Sequence, residues 1–486
     1  MKPFWILLSL FGLIFVILFS FRLDIFNKFG SVSEELASFS TDRVPEKDSW
    51  MNILQNGRKI GTSHTFISKT TKGYLLKETL YIRLNTMGLI QDLILKTAGK
   101  LNKDFTLSSF DFEISSGRFN FSAQGSISGN VLSLKTQDFG STKEVHTKIK
   151  ERLYASSGIV HAAYAAGMKP GDEFSLHVFD PMSMSTQPVT IKVVGRESIL
   201  NMGIQKKSMK IMMQYQGTTQ LAWIGEHGEV IREKGPLGLS LEKTTRKNVL
   251  FGHLAESSQD LAEIASIRSN VILDNPLKLE RIKVEISGIN TKDVHLEGGR
   301  QVLKDNVLTI QKEDMAKLYD GVINTNTISD RFLRPEPFIE SDHPKIMNLV
   351  KKIVTDNDTP FEKANKLMIW VNKNIEKRPV LSLPDALSTL INKVGDCNEH
   401  AVLLAALARA SAIPARIEAG LVYLNGRFYY HAWNLLYIGK WVTVDATFGQ
   451  IPADVTHIRF SSERLQQQLD IMNVIGRVKL KILSFR

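Results

Sequence analysis

Cys397 is the only cysteine among 486 residues, so neither an intramolecular disulfide nor a multi-cysteine zinc site can form. A lone thiol is either a small buried hydrophobe or a nucleophile kept for its chemistry, and its neighbours decide which. It stands in Gly395-Asp396-Cys397-Asn398-Glu399-His400, ahead of the run AVLLAALARA. Gly395 and Asp396 read as a turn and an N-cap, and the Ala/Leu-rich run as a helix. Cys397 then sits in the first turn, where unpaired N–H groups and the helix dipole favour a thiolate and could also hold an oxyanion.

Two further groups follow in order. His431 lies mid-strand in RFYYHAWNLLYI, and Asp445 lies in the next strand, WVTVDAT. A three-residue loop centred on Gly439 would make these two diagonal neighbours on one face of the sheet. A two-residue turn would put them on opposite faces. With the first geometry, Cys397, His431 and Asp445 are candidates for nucleophile, general base and orienting acid.

The elements that must position them are legible around the triad. KIMNLVKKIV after Pro344 spaces its apolar residues at three and four. Thr359-Pro360-Phe361-Glu362 reads as a helix start leading into KANKLMIWVNKNI, and residues 382–393 make a third short helix. The Cys397 helix ends near Ser411, before Pro414, and a β-meander follows through the turns Asn425-Gly426 and Gly439-Lys440. The class is therefore α+β, with helices first and antiparallel strands second.

The text GDCNEHA, ALARASAIPARIEAGLVY, FYYHAWN and TVDATFGQ resembles the bacterial transglutaminase-like superfamily, the papain-related fold of transglutaminases and peptide N-glycanases. The resemblance runs through roughly residues 331–470, and GQIPADVTHIRF looks like the bacterial branch. It implies Cys397 as nucleophile, His431 as base and Asp445 as the residue fixing the imidazole. It also implies a side-chain oxyanion donor, for which Asn392 and Gln450 are candidates by position. Ala446 stands where many relatives have Pro, and Leu435 where an acidic residue is common; the second would alter the acceptor side of the cleft. The implied activity is attack on an amide or peptide bond through a thioester, resolved by water in preference to an amine, since many bacterial relatives look like cysteine peptidases. The alternative is a non-catalytic envelope binding or assembly protein using this domain as an interaction module.

Other readings of the same residues are weaker. Cys397-x-x-His400 with His431 and Asp445 has zinc-ligand character, but a Gly-Asp-Cys helix start is unusual for structural zinc. We therefore expect no metal and no cofactor, with His400 as a support residue and Trp433 on the same strand face as His431. No P-loop, H-E-x-x-H or EF-hand pattern occurs in the sequence.

Ahead of this core, from Trp50 to about residue 250, short alternating runs are broken by Asn56-Gly57, Lys72-Gly73, Ser116-Gly117 and Gly129-Asn130. That pattern predicts a large, mostly antiparallel sheet, interrupted by one helix at 159–167. We divide the chain into a membrane signal-anchor (1–29), a β-rich domain (30–265), a small β-rich connecting domain (266–330) and the transglutaminase-like catalytic domain (331–486).

Residues 3–21 carry no charge, and as a helix would span roughly 28 Å, close to the hydrocarbon thickness of a bilayer. With Lys2 and Arg22 as flanks and no small-residue cleavage site, the run reads as an uncleaved transmembrane anchor. The expectation is a single-pass inner-membrane protein whose body lies in the periplasm or extracytoplasmic space. Its partners would be a peptide or protein substrate, the membrane, and an envelope protein for the β-rich domain. Lys and Arg number 61 against 50 Asp and Glu, a net +11, but the excess is dispersed and singles out no nucleic acid. At 43% hydrophobic and 23% charged, the chain is neither disordered nor collagen-like.

Overall fold

Turn chemistry lays out the first half of the chain. Asn56 and Gly57 both take positive φ, 47° and 81°, and join Lys47–Gln55 to Arg58–Lys69 in two residues. Gly129-Asn130 likewise joins Phe119–Ser128 to Val131–Asp138 in two residues, with Gly129 at a φ of 58°. The computed structural model describes residues 47–486 except 87–88, 117–118, 139–140, 181–184, 216–217, 252–258, 316–328, 337, 381–383 and 463–475. The anchor expected over residues 1–29 lies outside the described residues. Among the described residues no helix is long and apolar enough to cross a membrane.

The chain forms two compact units that divide between Leu261 and Ala262. In the first, fifteen strands among the described residues make one sheet. Lys47–Gln55 lies mid-sheet between Arg58–Lys69 and Leu239–Thr244, and the order runs outward in chain sequence on one side and backward on the other. Every pairing is antiparallel except that of Leu153–Tyr154 with Glu173–Asp180. Alternation puts residues such as Leu76, Leu84, Ile191 and Ile211 in the core. The helix expected at 159–167 occupies Ile159–Ala165, and Ile159 and Val160 share a cavity lining with Met51, Ile67, Val189 and Met213.

The second unit contains a small sheet. Strands β1 (Arg281–Ser287), β2 (Gln301–Lys304) and β3 (Val307–Gln311) take the order β2-β3-β1, and the chain's last strand, β8 (Lys479–Phe485), adds on the far side of β1. The strands expected to form a separate connecting domain at 266–330 thus complete their sheet with the carboxyl-terminal segment, inside the same compact unit as the helical core.

Three helices then surround a fourth. Helix α1 (Pro344–Ile353) starts with Pro in its first turn. Helix α2 (Pro360–Asn374) carries a full capping box, in which Thr359 and Glu362 satisfy each other's backbone N–H groups. Helix α3 (Ala386–Asn392) is shorter than the 382–393 read from sequence and is capped by Asp385. Helix α4 (Cys397–Ala410) is buried on nearly every side, which explains its run of Ala, Leu and Val without a polar stripe. It packs against α1, α2 and α3 and against strands β4 (Ala415–Leu424) and β5 (Arg427–Tyr437). Strand β5 pairs with β4 and with β6 (Trp441–Val444), and β4 pairs on its other edge with β7 (Ile458–Ser462).

Candidate active site

The site is assembled where the first turn of α4 meets the middle of β5. Asp396 caps α4: its carboxylate accepts from the Asn398 amide at 2.8 Å, while Glu399 reaches back to the Asp396 amide at 2.9 Å. Gly395 is required by close approach, since a Cβ there would lie 2.2 Å from Glu399 Cβ. Cys397 is thereby held as the first residue of the helix. Its Sγ accepts a hydrogen bond from the Ala432 amide at 3.3 Å, immediately beyond His431.

The β5–β6 ladder pairs Asn434 with Val444 and Tyr437 with Trp441, leaving three residues in the loop around Gly439. This register turns His431 and Asp445 to the same face. His431 Nε2 lies 2.6 Å from Asp445 Oδ2, with both side chains buried. His431 Nδ1 is buried and has no hydrogen-bond partner. The thiol and the imidazole are therefore adjacent through the 431–432 backbone but are not hydrogen-bonded to each other.

A further histidine, not singled out by sequence, joins them. His457 Nε2 lies 2.9 Å from the same Asp445 Oδ2, and its Nδ1 faces Asp454. Asp445 Oδ1 accepts from the Thr447 and Phe448 amides at 2.7 and 3.0 Å. Each oxygen of this fully buried carboxylate thus takes two donors. Burial alone would raise its pKa, but His431 and His457 hold it well below the usual carboxylate range. Burial would likewise depress His457, yet Asp454 and Asp445 together raise it to about 9.

Aromatic rings enclose the imidazoles. Phe448 stacks on His431 at 4.7 Å, and Trp433 meets the His457 ring edge-on at 5.1 Å. The Trp433 indole donates to Glu418, which in turn pairs with Arg459.

Residues 347–446 match the transglutaminase-like superfamily. They form a transglutaminase-like domain. Among solved structures, one called a "putative cysteine protease", from Cytophaga hutchinsonii, is 17% identical, with a TM-score of 0.27 over 42% of this chain and 86% of its own. A β-barrel-like protein of a domain of unknown function, from Brucella abortus, is 10% identical, with a TM-score of 0.33 over 42% of this chain and 96% of its own. A "putative protease" from Parabacteroides distasonis is 9% identical, with a TM-score of 0.20 over 68% and 64%. No curated protein matches the chain.

Within the transglutaminase-like domain the thiol departs from the expectation of a ready thiolate. Cys397 is 1% exposed. Burial pushes its pKa well up and Asp396 adds to this, so the Ala432 amide and the helix start do not prevail. Asp396 takes the Asn398 amide, and the box also occupies the Glu399 amide, leaving that of Cys397 as the first-turn donor outside the cap.

The two candidate oxyanion donors differ. Gln450 is committed to Asp454 at both ends of its amide: Nε2 donates to Oδ2 and Oε1 accepts from the backbone. Asn392 is half-buried at the end of α3. His400 donates from Nδ1 to the Asp396 carbonyl at 2.7 Å, and burial lowers its pKa to about 4, so it is a neutral support for the cap.

The zinc set considered from sequence, Cys397 with His400, His431 and Asp445, does not converge. The cluster with metal-ligand spacing among the described residues is His431, Asp445 and His457. Its three atoms already meet at hydrogen-bond distances through one oxygen. The signal that could have revealed His457 was the Asp-x-x-His pair in ADVTHIRF, whose partner Asp445 is distant in the chain.

Proposed function

We propose that the protein is a thiol enzyme acting on amide or peptide bonds through a thioester at Cys397, resolved by water in preference to an amine. The observation that carries this reading is the His431–Asp445 hydrogen bond. It commits Nε2–H to the carboxylate and leaves the lone pair of the neutral ring on Nδ1, the nitrogen without a partner. Cys397 Sγ attacks the acyl carbon as its proton passes to Nδ1. His431 then returns the proton to the leaving amine as the C–N bond breaks. Water, deprotonated by the same nitrogen, adds to the thioester, and the acid leaves as the thiol is restored. An amine in place of water would give a new amide.

One observation favours a second reading, a non-catalytic binding module: Cys397 is buried, and its thiol is pushed towards the neutral form. Iodoacetamide alkylation across pH 5 to 9 separates the two, because the chain has a single thiol. Rapid labelling at pH 6 that slows sharply in His431→Ala supports the enzyme. An ordinary thiol profile near pH 8.5, indifferent to that change, supports the binding module.

On the apolar run at residues 3–21, we further propose an inner-membrane location with the domain on the extracytoplasmic side. Release of the chain from membranes by alkaline carbonate would overturn it.

A further inference from the structure

The histidine that the triad does not use lies on the triad's own carboxylate. His457 is fully buried, and its ring is held at both ends, by Asp445 at Nε2 and by Asp454 at Nδ1. Asp454 is itself fixed, accepting from the Thr456 amide at 2.8 Å and from Thr456 Oγ1 at 2.6 Å. Arg300 grips the backbone of the same loop, donating to the carbonyls of Ala453, Asp454 and His457. Gly420 lets β7 close in, because a Cβ there would lie 1.9 Å from the Ile458 carbonyl oxygen. Both ring nitrogens face acceptors, Nε2 the Asp445 carboxylate at 2.9 Å and Nδ1 the Asp454 carbonyl and carboxylate at 3.2 and 3.4 Å, and one imidazole between two carboxylates is a costly arrangement to bury.

We propose that His457 is a positioning residue for the His431–Asp445 pair: through the oxygen it shares with His431, it fixes the carboxylate and takes up part of its negative charge. The proposal rests on the thiol-enzyme reading above and adds a control on it. An Asp445 carboxylate facing His431 alone would direct its whole negative charge at that imidazole. With His457 on the same oxygen, the proton that His431 takes from Cys397 during attack is easier to return to a leaving amine.

The charged and titratable groups around His457 are consistent with this. Asp445 and Asp454 face it directly, and the His431 ring lies 5.7 Å away. The Glu418–Arg459 pair closes on itself beyond Trp433. Lys377, whose half-buried amine donates to the Asn372 carbonyl, is in electrostatic reach of Asp445, and His400 is neutral. Cys397 is also in reach of Asp445. Among the described residues, His457 is therefore the side chain besides His431 whose ring nitrogen lies within hydrogen-bond distance of Asp445 Oδ2.

The test is the pH profile of Cys397 alkylation by iodoacetamide in the full chain, comparing wild type, His431→Ala, His457→Gln and His457→Phe. His457→Gln keeps an N–H donor without the charge; it should shift the profile up by about one pH unit while holding the maximal rate within a few-fold. His457→Phe removes the donor as well and should lower the maximum about tenfold. If wild type responds to His431→Ala but both His457 profiles overlay wild type, the positioning role fails and the enzyme reading stands. If wild type does not respond to His431→Ala, the enzyme reading itself fails.

Where a His457 variant does not fold, ¹⁵N NMR of the wild-type imidazoles decides. One ring that keeps both N–H protons at pH 8 supports the proposal, and the absence of any such ring overturns it.

Discussion

Tyr437 and Trp441 face each other across a loop of three residues, and that single register decides which side of the sheet Asp445 occupies. Deleting Gly439 leaves a two-residue loop and turns the strand over by one position. The deletion variant should fold with Asp445 on the wrong face or lose the β5–β6 pairing. Either way, Cys397 alkylation at pH 6 should fall to the level of His431→Ala.

Asp445→Asn tests the tautomer. Oδ1 is pinned by the Thr447 and Phe448 amides, so the new NH₂ would point at both imidazoles. His431 Nε2 must then accept, which moves its proton to Nδ1 and presents an N–H to the thiol instead of a lone pair. We expect pH 6 alkylation to drop about a hundredfold or more, with the circular dichroism spectrum retained.

Stability should fall on both sides of neutrality, for separate reasons. His457 is raised from 6.5 to about 9 in the folded chain, so its contribution is fully present below pH 6.5 and is lost as pH rises through about 9. Asp445 and Asp454 are depressed below 3.8; their contribution is present above that value and is lost as pH falls below it. Urea midpoints measured from pH 3 to 10 should show both losses. In His457→Gln the alkaline loss should shrink.

Arg300→Ala should damage the site from a turn outside it. The guanidinium is buried, pairs with Glu313 at 2.9 Å and holds three carbonyls of the 453–457 segment. Glu313 in turn accepts the Thr443 amide on β6. Removing the cation strands a buried carboxylate, a change that costs about 3–5 kcal/mol. Faster amide exchange confined first to residues 453–460 would check it, whereas unchanged exchange there would show that the loop stands without Arg300.

By itself, the sequence determined what is written in local periods and in residue type. The lone thiol after Gly395-Asp396, the cap on α4, the Thr359 helix start and the Asn56-Gly57 hairpin each depend on residues a few positions apart. Backbone geometry acts at that range, so these features could be read directly. The His431–Asp445 relation was legible up to a choice of loop length, because strand alternation leaves two outcomes.

Tertiary structure alone decided the rest. His457 reaches Asp445 because β7 pairs with β4 beside Gly420, and no sequence period announces an irregular segment folding back onto its neighbour. Gln450 has the spacing of an oxyanion donor but spends its amide on Asp454. The carboxyl-terminal strand β8 closes the sheet of β1–β3 across a long stretch of chain. The helix start at Cys397 favours a thiolate, yet desolvation by burial, with Asp396 beside it, outweighs that. Burial depends on every element that surrounds a group, and for that reason the state of this thiol is a property of the fold.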